Sequence, residues 1–198
     1  MARRSLERYR RKGLDDLERR MLASASEGGL DGARVLEIGG GIGTLQVELL
    51  ASGAERGDVV ELVSSYAPYA SDLARDKGLE ARSSFRVVDV LEDPNAVEPA
   101  DVVVMNRVVC CTPDGVALTG QAARLARRTL VLSFPRDVLW VRAGLRFVNA
   151  GLRLVGRSFR VFVHPADVLL AAAEAEGLTP FDGGRGLAWE FVALRRAS

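Results

Sequence analysis

Five apolar runs, each closed by glycine or polar residues, set the rhythm of the chain: 33–38, 58–63, 84–90, 100–106 and 129–134. Runs of four to eight such residues are strands covered on both faces. The stretches between them carry helical spacing. One is 44–53, with Leu45, Val47, Leu49 and Leu50 and a stop near Gly53; another is 65–78, with Pro68 in its first turn; a third is 113–126, opened by Thr112 and Pro113. Strands alternating with helices predict an α/β fold, a doubly wound and mostly parallel sheet. A helix over 165–176, a strand near 178–181, a glycine turn and a run over 187–195 close the pattern as a hairpin. Before the first strand, Leu6, Tyr9, Leu14, Leu17, Met21 and Leu22 recur at helical intervals with a break near Gly13, which predicts two short helices.

The first strand runs into Glu37-Ile38-Gly39-Gly40-Gly41-Ile42-Gly43-Thr44. Clustered glycines allow a tight turn and expose backbone N–H groups at the start of the helix that Thr44 opens, where a carboxylate or phosphate is held. In a dinucleotide fold the third glycine of G-x-G-x-x-G would stand where this chain has Thr44, and Glu37 would face a doubly charged pyrophosphate. A phosphate-free cofactor with an ammonium and a sulfonium suits these charges better. S-adenosylmethionine (SAM) has that chemistry, its carboxylate meeting the helix N-terminus and its amino group meeting Glu37 and nearby carbonyls. Glu61 follows Gly39 by 22 residues, near the interval of about 20 at which an acid on the next strand accepts both hydroxyls of a ribose.

Glu37, Gly39, Gly40, Gly41 and Gly43 together resemble the first motif of class I SAM-dependent methyltransferases. The resemblance spans roughly 30–195 and implies a Rossmann-like, seven-stranded sheet with helices on both faces and an antiparallel last strand. It also implies that Glu61 and Leu62 border the ribose, that Asp89 receives the adenine amino group while Val90 covers the ring, and that Asn106 and Arg107 stand beside the methionine end. The product would be S-adenosylhomocysteine. Residues 1–29 would form a helical lid that brings Tyr9 to the methyl group, and 30–198 the cofactor-binding domain. Tyr9 to Leu14 look like the start of actinobacterial small-molecule methyltransferases. Val108 to Pro113 are distantly similar to the magnesium-protoporphyrin O-methyltransferase group, with Cys111 where that group carries a histidine.

Composition narrows the partners. A net charge of +1 over 198 residues, 48% of them hydrophobic and 27% charged, describes an ordinary soluble domain and offers no electrostatic case for nucleic acid. The absence of a signal peptide or of a long apolar span leads to a cytoplasmic expectation. Cys110 and Cys111 are adjacent, which predicts reduced thiols, and with one histidine they make no metal-ligand cluster. The segment 136–164 departs from this neutrality, with six arginines against Asp137 alone, interleaved with Trp140, Val141, Leu145, Phe147, Val148, Leu152, Leu154 and Val155. Such a basic amphipathic segment reads as a cap gripping an anionic acceptor, as a membrane-surface contact through 136–160, or as a subunit interface of a homodimer. His164, the only histidine, ends this segment and is a candidate general base beside Tyr9. The sequence therefore points to metal-independent methyl transfer to a small molecule, most readily at oxygen. A SAM-binding protein that does not methylate, a regulator or a SAM-assisted isomerase or cyclase, is the alternative.

Overall fold

A computed structural model describes residues 2–197. The chain runs α1 (Ala2–Lys12), α2 (Asp16–Ser26), β1 (Arg34–Ile38), α3 (Thr44–Ala51), β2 (Arg56–Glu61), α4 (Ala67–Asp76), β3 (Ser83–Val87) and β4 (Ala100–Met105). It continues with α5 (Gly115–Leu125), β5 (Ala126–Pro135), α6 (Leu139–Leu154), α7 (Ala166–Glu174), β6 (Leu178–Arg185) and β7 (Trp189–Arg196). The strands form one sheet in the order β3-β2-β1-β4-β5-β7-β6. Strands β1 to β5 are parallel, and β7 runs antiparallel to both β5 and β6. This is the Rossmann-like, doubly wound sheet with an antiparallel last strand that the pattern predicted.

The apolar runs are continuous because both faces of the inner strands are buried. Val35, Val102, Val104 and Val131 point into one core with Leu45, Leu49, Met21 and Phe191. Their neighbours Leu36, Val103, Met105, Leu130 and Leu132 point into the other, with Leu118, Phe134 and Leu169. The alternation follows from the two-residue period of a strand. Leu6, Tyr9, Leu17 and Met21 of α1 and α2 belong to the first core, so the N-terminal helices cover the sheet face that carries α3.

Several boundaries moved for local reasons. β3 ends at Val87, leaving Asp89 and Val90 in a turn where Asp89 Oδ1 accepts the Leu91 N–H. α5 begins at Gly115 because Thr112 Oγ1 accepts the Asp114 N–H, a side-chain turn that delays the helix by two residues. The first turn before α4 is a 3-10 segment over Ser64–Tyr66. The basic segment forms one helix, α6, followed by a strap without helix or strand that leads to α7.

The sheet positions everything by its change of direction. β1 has β2 on one side and β4 on the other, so the loops leaving β1 and β4 turn to opposite faces and leave a crevice at their carboxyl ends, where ligands of open α/β sheets bind. Met105, fully buried at the end of β4, braces that crevice from below. Met105→Ala is expected to lower the stability by about 2–5 kcal/mol, read as a drop in the urea midpoint with an unchanged slope.

Candidate functional site

The glycine loop between β1 and α3 is held open by close approaches rather than by side chains of its own. Gly39, Gly41 and Gly43 have φ values of 64°, 57° and 74°, a region costly for other residues. A Cβ on Gly39 would overlap Val108 of the loop after β4, and one on Gly43 would lie 2.8 Å from Val59. The Gly39 N–H donates to Val60 O and the Gly43 N–H to Gly40 O, at 2.8 Å each. The N–H groups of Gly40, Ile42 and Thr44 have no acceptor among the described residues. Gly40 is half-buried and Ile42 and Thr44 are buried, so these donors lie in and just under the loop at the start of α3.

Glu61, the last residue of β2, reaches this loop. Its Oε2 accepts the Gly41 N–H at 3.0 Å, and its Oε1 accepts Leu62 and Val63 N–H groups at 2.9 and 3.1 Å. Tyr66 lies against the other side of Gly41. Burial, then the negative charges of Glu61 and Cys111, hold the Tyr66 phenol above its ordinary range. The structure thus brings together Gly39 to Gly43, Glu61, the exposed Leu62 and, from sequence-distant loops, Tyr66 and Val108.

Glu37 does something else. It is 2% exposed, and its carboxyl accepts the Gln46 N–H at 2.8 Å and the Leu45 N–H, capping the first turn of α3 from inside the core. Burial pushes its pKa up to about 8, against the lowering effect of those two N–H groups. In this structure Glu37 thus caps α3 from inside the core, where burial holds its pKa above the ordinary glutamate range. Val90 is 4% exposed and belongs to the core with Ile38, Val60 and Met105.

Asn106 and Arg107 stand at the close of β4 in a polar network that reaches α2. Ser133 Oγ on β5 donates to Asn106 Oδ1 at 2.8 Å and accepts the Arg107 N–H at 2.9 Å, and Asn106 Nδ2 donates to Glu18 Oε1 at 3.1 Å. The Arg107 guanidinium pairs with Asp15 at 2.6 Å and stacks 5.3 Å over Trp189. Arg107 is the one non-glycine residue of positive φ among those described, at 58°. Burial raises the Asp15 pKa, but the Glu18 N–H and the Arg107 guanidinium outweigh it and hold the carboxyl below its usual range. Asp15 and Glu18 also form the capping box of α2. Their D-x-x-E spacing is legible in the sequence, whereas nothing local to Ser133 marks its role.

The two acid-base candidates are not brought to this crevice. Tyr9 is 5% exposed, donates its hydroxyl to Glu48 on α3 and sits under Lys77; burial, then Glu48, raise its pKa well above the phenol range. His164 is 9% exposed, with Nε2 3.0 Å from Thr112 O, so that nitrogen carries the proton and donates it. The ring fills the space that a Cβ on Gly115 would take. Tyr9 fastens α1 to α3, and His164 fastens the strap after α6 to the loop before α5. Both cysteines are free, Cys110 buried and Cys111 exposed. Among the described residues no group of three or more potential ligands could hold a metal, and no helix is long and apolar enough to cross a membrane.

With this geometry in place, comparison with known proteins is specific. The chain is 30% identical over 170 residues to the ubiquinone biosynthesis O-methyltransferase of Bordetella parapertussis, covering 81% of this chain and 67% of that protein. Its fold is similar to that of magnesium protoporphyrin IX methyltransferase from Synechocystis with bound SAH, with a TM-score of 0.74, 19% identity and coverage of 98% and 94% of the two chains. The [4+2]-cyclase SpnF shares the fold at a TM-score of 0.64 and 15% identity, over 90% of this chain and 81% of that one. No family model matches the chain.

The burial of Glu37 has a measurable consequence. Between the ordinary glutamate range and about pH 8, the folded protein holds a proton that the unfolded chain has lost, so stability falls as pH rises through that window. The loss is on the order of 3–5 kcal/mol. Urea titrations at about pH 5 and about pH 9 should show it in the parent protein and show a much smaller difference in Glu37→Gln.

Proposed function

The chain belongs to the class I SAM-dependent methyltransferases, and we propose that it carries the methyl group of SAM to an oxygen of a small molecule without a metal ion. The observation that carries the reading is the set of unpartnered amides of Gly40, Ile42 and Thr44 in the loop between β1 and α3, with the Glu61 carboxylate of β2 bonded to Gly41 of that loop. These amides suit a carboxylate and no side chain competes for them, which fits the amino-acid end of SAM. Glu61 holds the ribose hydroxyls, exchanging its bonds to Leu62 and Val63 N–H groups for them. Asp89 lies at the β3 edge of the crevice for the adenine amino group, and Asn106 and Arg107 border the methionine end. When bound, SAM supplies an electrophilic methyl on sulfur, which leaves with its bonding pair retained as the acceptor oxygen attacks.

What the protein adds is alignment and exclusion of water. Because Tyr9 and His164 are occupied elsewhere, the acceptor is one whose hydroxyl ionises by itself near neutral pH, such as an acidic phenol or a carboxylic acid, and its proton goes to solvent. The O-methyltransferase relative supports oxygen as the receiving atom.

Incubation with methyl-labelled SAM and a panel of phenols and carboxylic acids should transfer label to one of them as S-adenosylhomocysteine appears in equal amount. The pH dependence of the rate should track the pKa of the acceptor. Conversion of a substrate with the label left on SAM would overturn the reading in favour of the cyclase-like alternative, a rival with which the fold is shared. Glu61→Ala should weaken SAM binding by about 1.5–3 kcal/mol, roughly ten- to a hundredfold in Kd, by calorimetry on a variant with an unchanged circular dichroism spectrum.

A further inference from the structure

α6 is folded with its apolar side outward. Val141 is its one buried residue, and only Leu145, Asn149 and Leu152 are half-buried with it, marking a narrow stripe against the body. On the opposite side, Leu139, Ala143, Phe147, Ala150 and Leu154 recur at intervals of four, four, three and four residues, which places them on one face. Leu139, Phe147 and Leu154 are 85%, 79% and 87% exposed, and Trp140 flanks them at 52%. Arg142, Arg146 and Arg153 fall together on the shoulder between the two faces, and the helix has no acid. Arg142 is paired with Asp137, while Arg146, Arg153, Arg157 and Arg160 have no carboxylate partner among the described residues.

We propose that the outer face of α6 docks on an anionic lipid bilayer. Three observations select that occupant. The surface is a convex ridge about 24 Å long (16 residues at about 1.5 Å), which offers no groove for a peptide and lies flat on an interface. Its charge is of one sign, so a second copy of the chain would set arginine against arginine across the contact, whereas anionic headgroups neutralise it. The side chains most exposed are large and aliphatic or aromatic, with Trp140 on the edge of the apolar face away from the arginines, and such exposed apolar faces occur in helices that lie in a membrane interface.

The fold also couples this face to the crevice. Asn149 Nδ2 donates to Val161 O and its Oδ1 accepts the Val161 N–H, both at 2.8 Å, pinning the strap after α6 along the helix. The strap then joins the loop after β4 through the Phe162 N–H to Cys110 O at 2.8 Å and His164 to Thr112 O. That loop carries Val108, which rests on Gly39. Docking α6 therefore fixes the cofactor crevice relative to the bilayer, whatever the acceptor is.

The test is co-sedimentation of the full chain with phosphatidylcholine vesicles and with vesicles containing about one third phosphatidylglycerol. The chain should bind the anionic vesicles alone, with a blue shift in tryptophan emission from Trp140. Phe147→Glu combined with Leu154→Glu should abolish binding, and Arg146→Gln combined with Arg153→Gln should weaken it about thirtyfold. All four positions are exposed on α6, so both variants should melt like the parent. Absence of binding to either vesicle, or equal binding to both, would overturn the proposal. So would a dimer in solution that Phe147→Glu splits, since the same face would then be covered by a second copy.

Discussion

Val108 lies on the bare backbone of Gly39 so closely that a side chain there would overlap it. This contact joins the loop leaving β1 to the loop leaving β4, and the remaining features of the crevice depend on it. It lies on the glycine turn whose left-handed geometry leaves the amides of Gly40, Ile42 and Thr44 without acceptors among the described residues. It is also where the strap from α6 ends, through Cys110 and Thr112. A parallel sheet makes such a meeting possible only where the strand order reverses, because only there do adjacent loops part to opposite faces.

The polar groups around the crevice are divided between building and binding. Glu37 is used entirely for building: it satisfies two N–H groups of α3 that would otherwise be buried without acceptors, at the cost of desolvating a carboxyl. Asp15, Glu18, Asn106, Arg107 and Ser133 tie the elbow between α1 and α2 to the ends of β4 and β5. The left-handed conformation of Arg107 costs on the order of 1–2 kcal/mol, and the bonds from its N–H and guanidinium offset it. Glu61 stands apart because its carboxyl lies at the loop and accepts the N–H groups of Gly41 and of the exposed Leu62 and Val63.

α6 presents the opposite of a core helix. Its buried stripe is barely one residue wide, and its exposed face is the apolar one. A helix packed this way contributes little hydrophobic stabilisation to its own domain. It is tied instead to the strap by the Asn149 side-chain amide, which bonds the backbone N–H and O of Val161, and this keeps the outer face available.

The sequence by itself determined the strand and helix order, the closing hairpin and the position of the glycine loop. These rest on short-range periodicity, and burial on both faces of a parallel strand leaves an unmistakable apolar run. It also placed Glu61 beside that loop, because the length of one strand-helix-strand unit sets the interval. Only the tertiary structure decided where individual side chains are turned: Glu37 and Val90 inward, Tyr9 to α3, His164 to Thr112. Those outcomes depend on which donor or cavity lies nearest across tens of residues of chain, and no local pattern encodes that. The same holds for α6, whose amphipathic spacing showed two faces, while the packing of the rest of the chain chose which of them would be left to solvent.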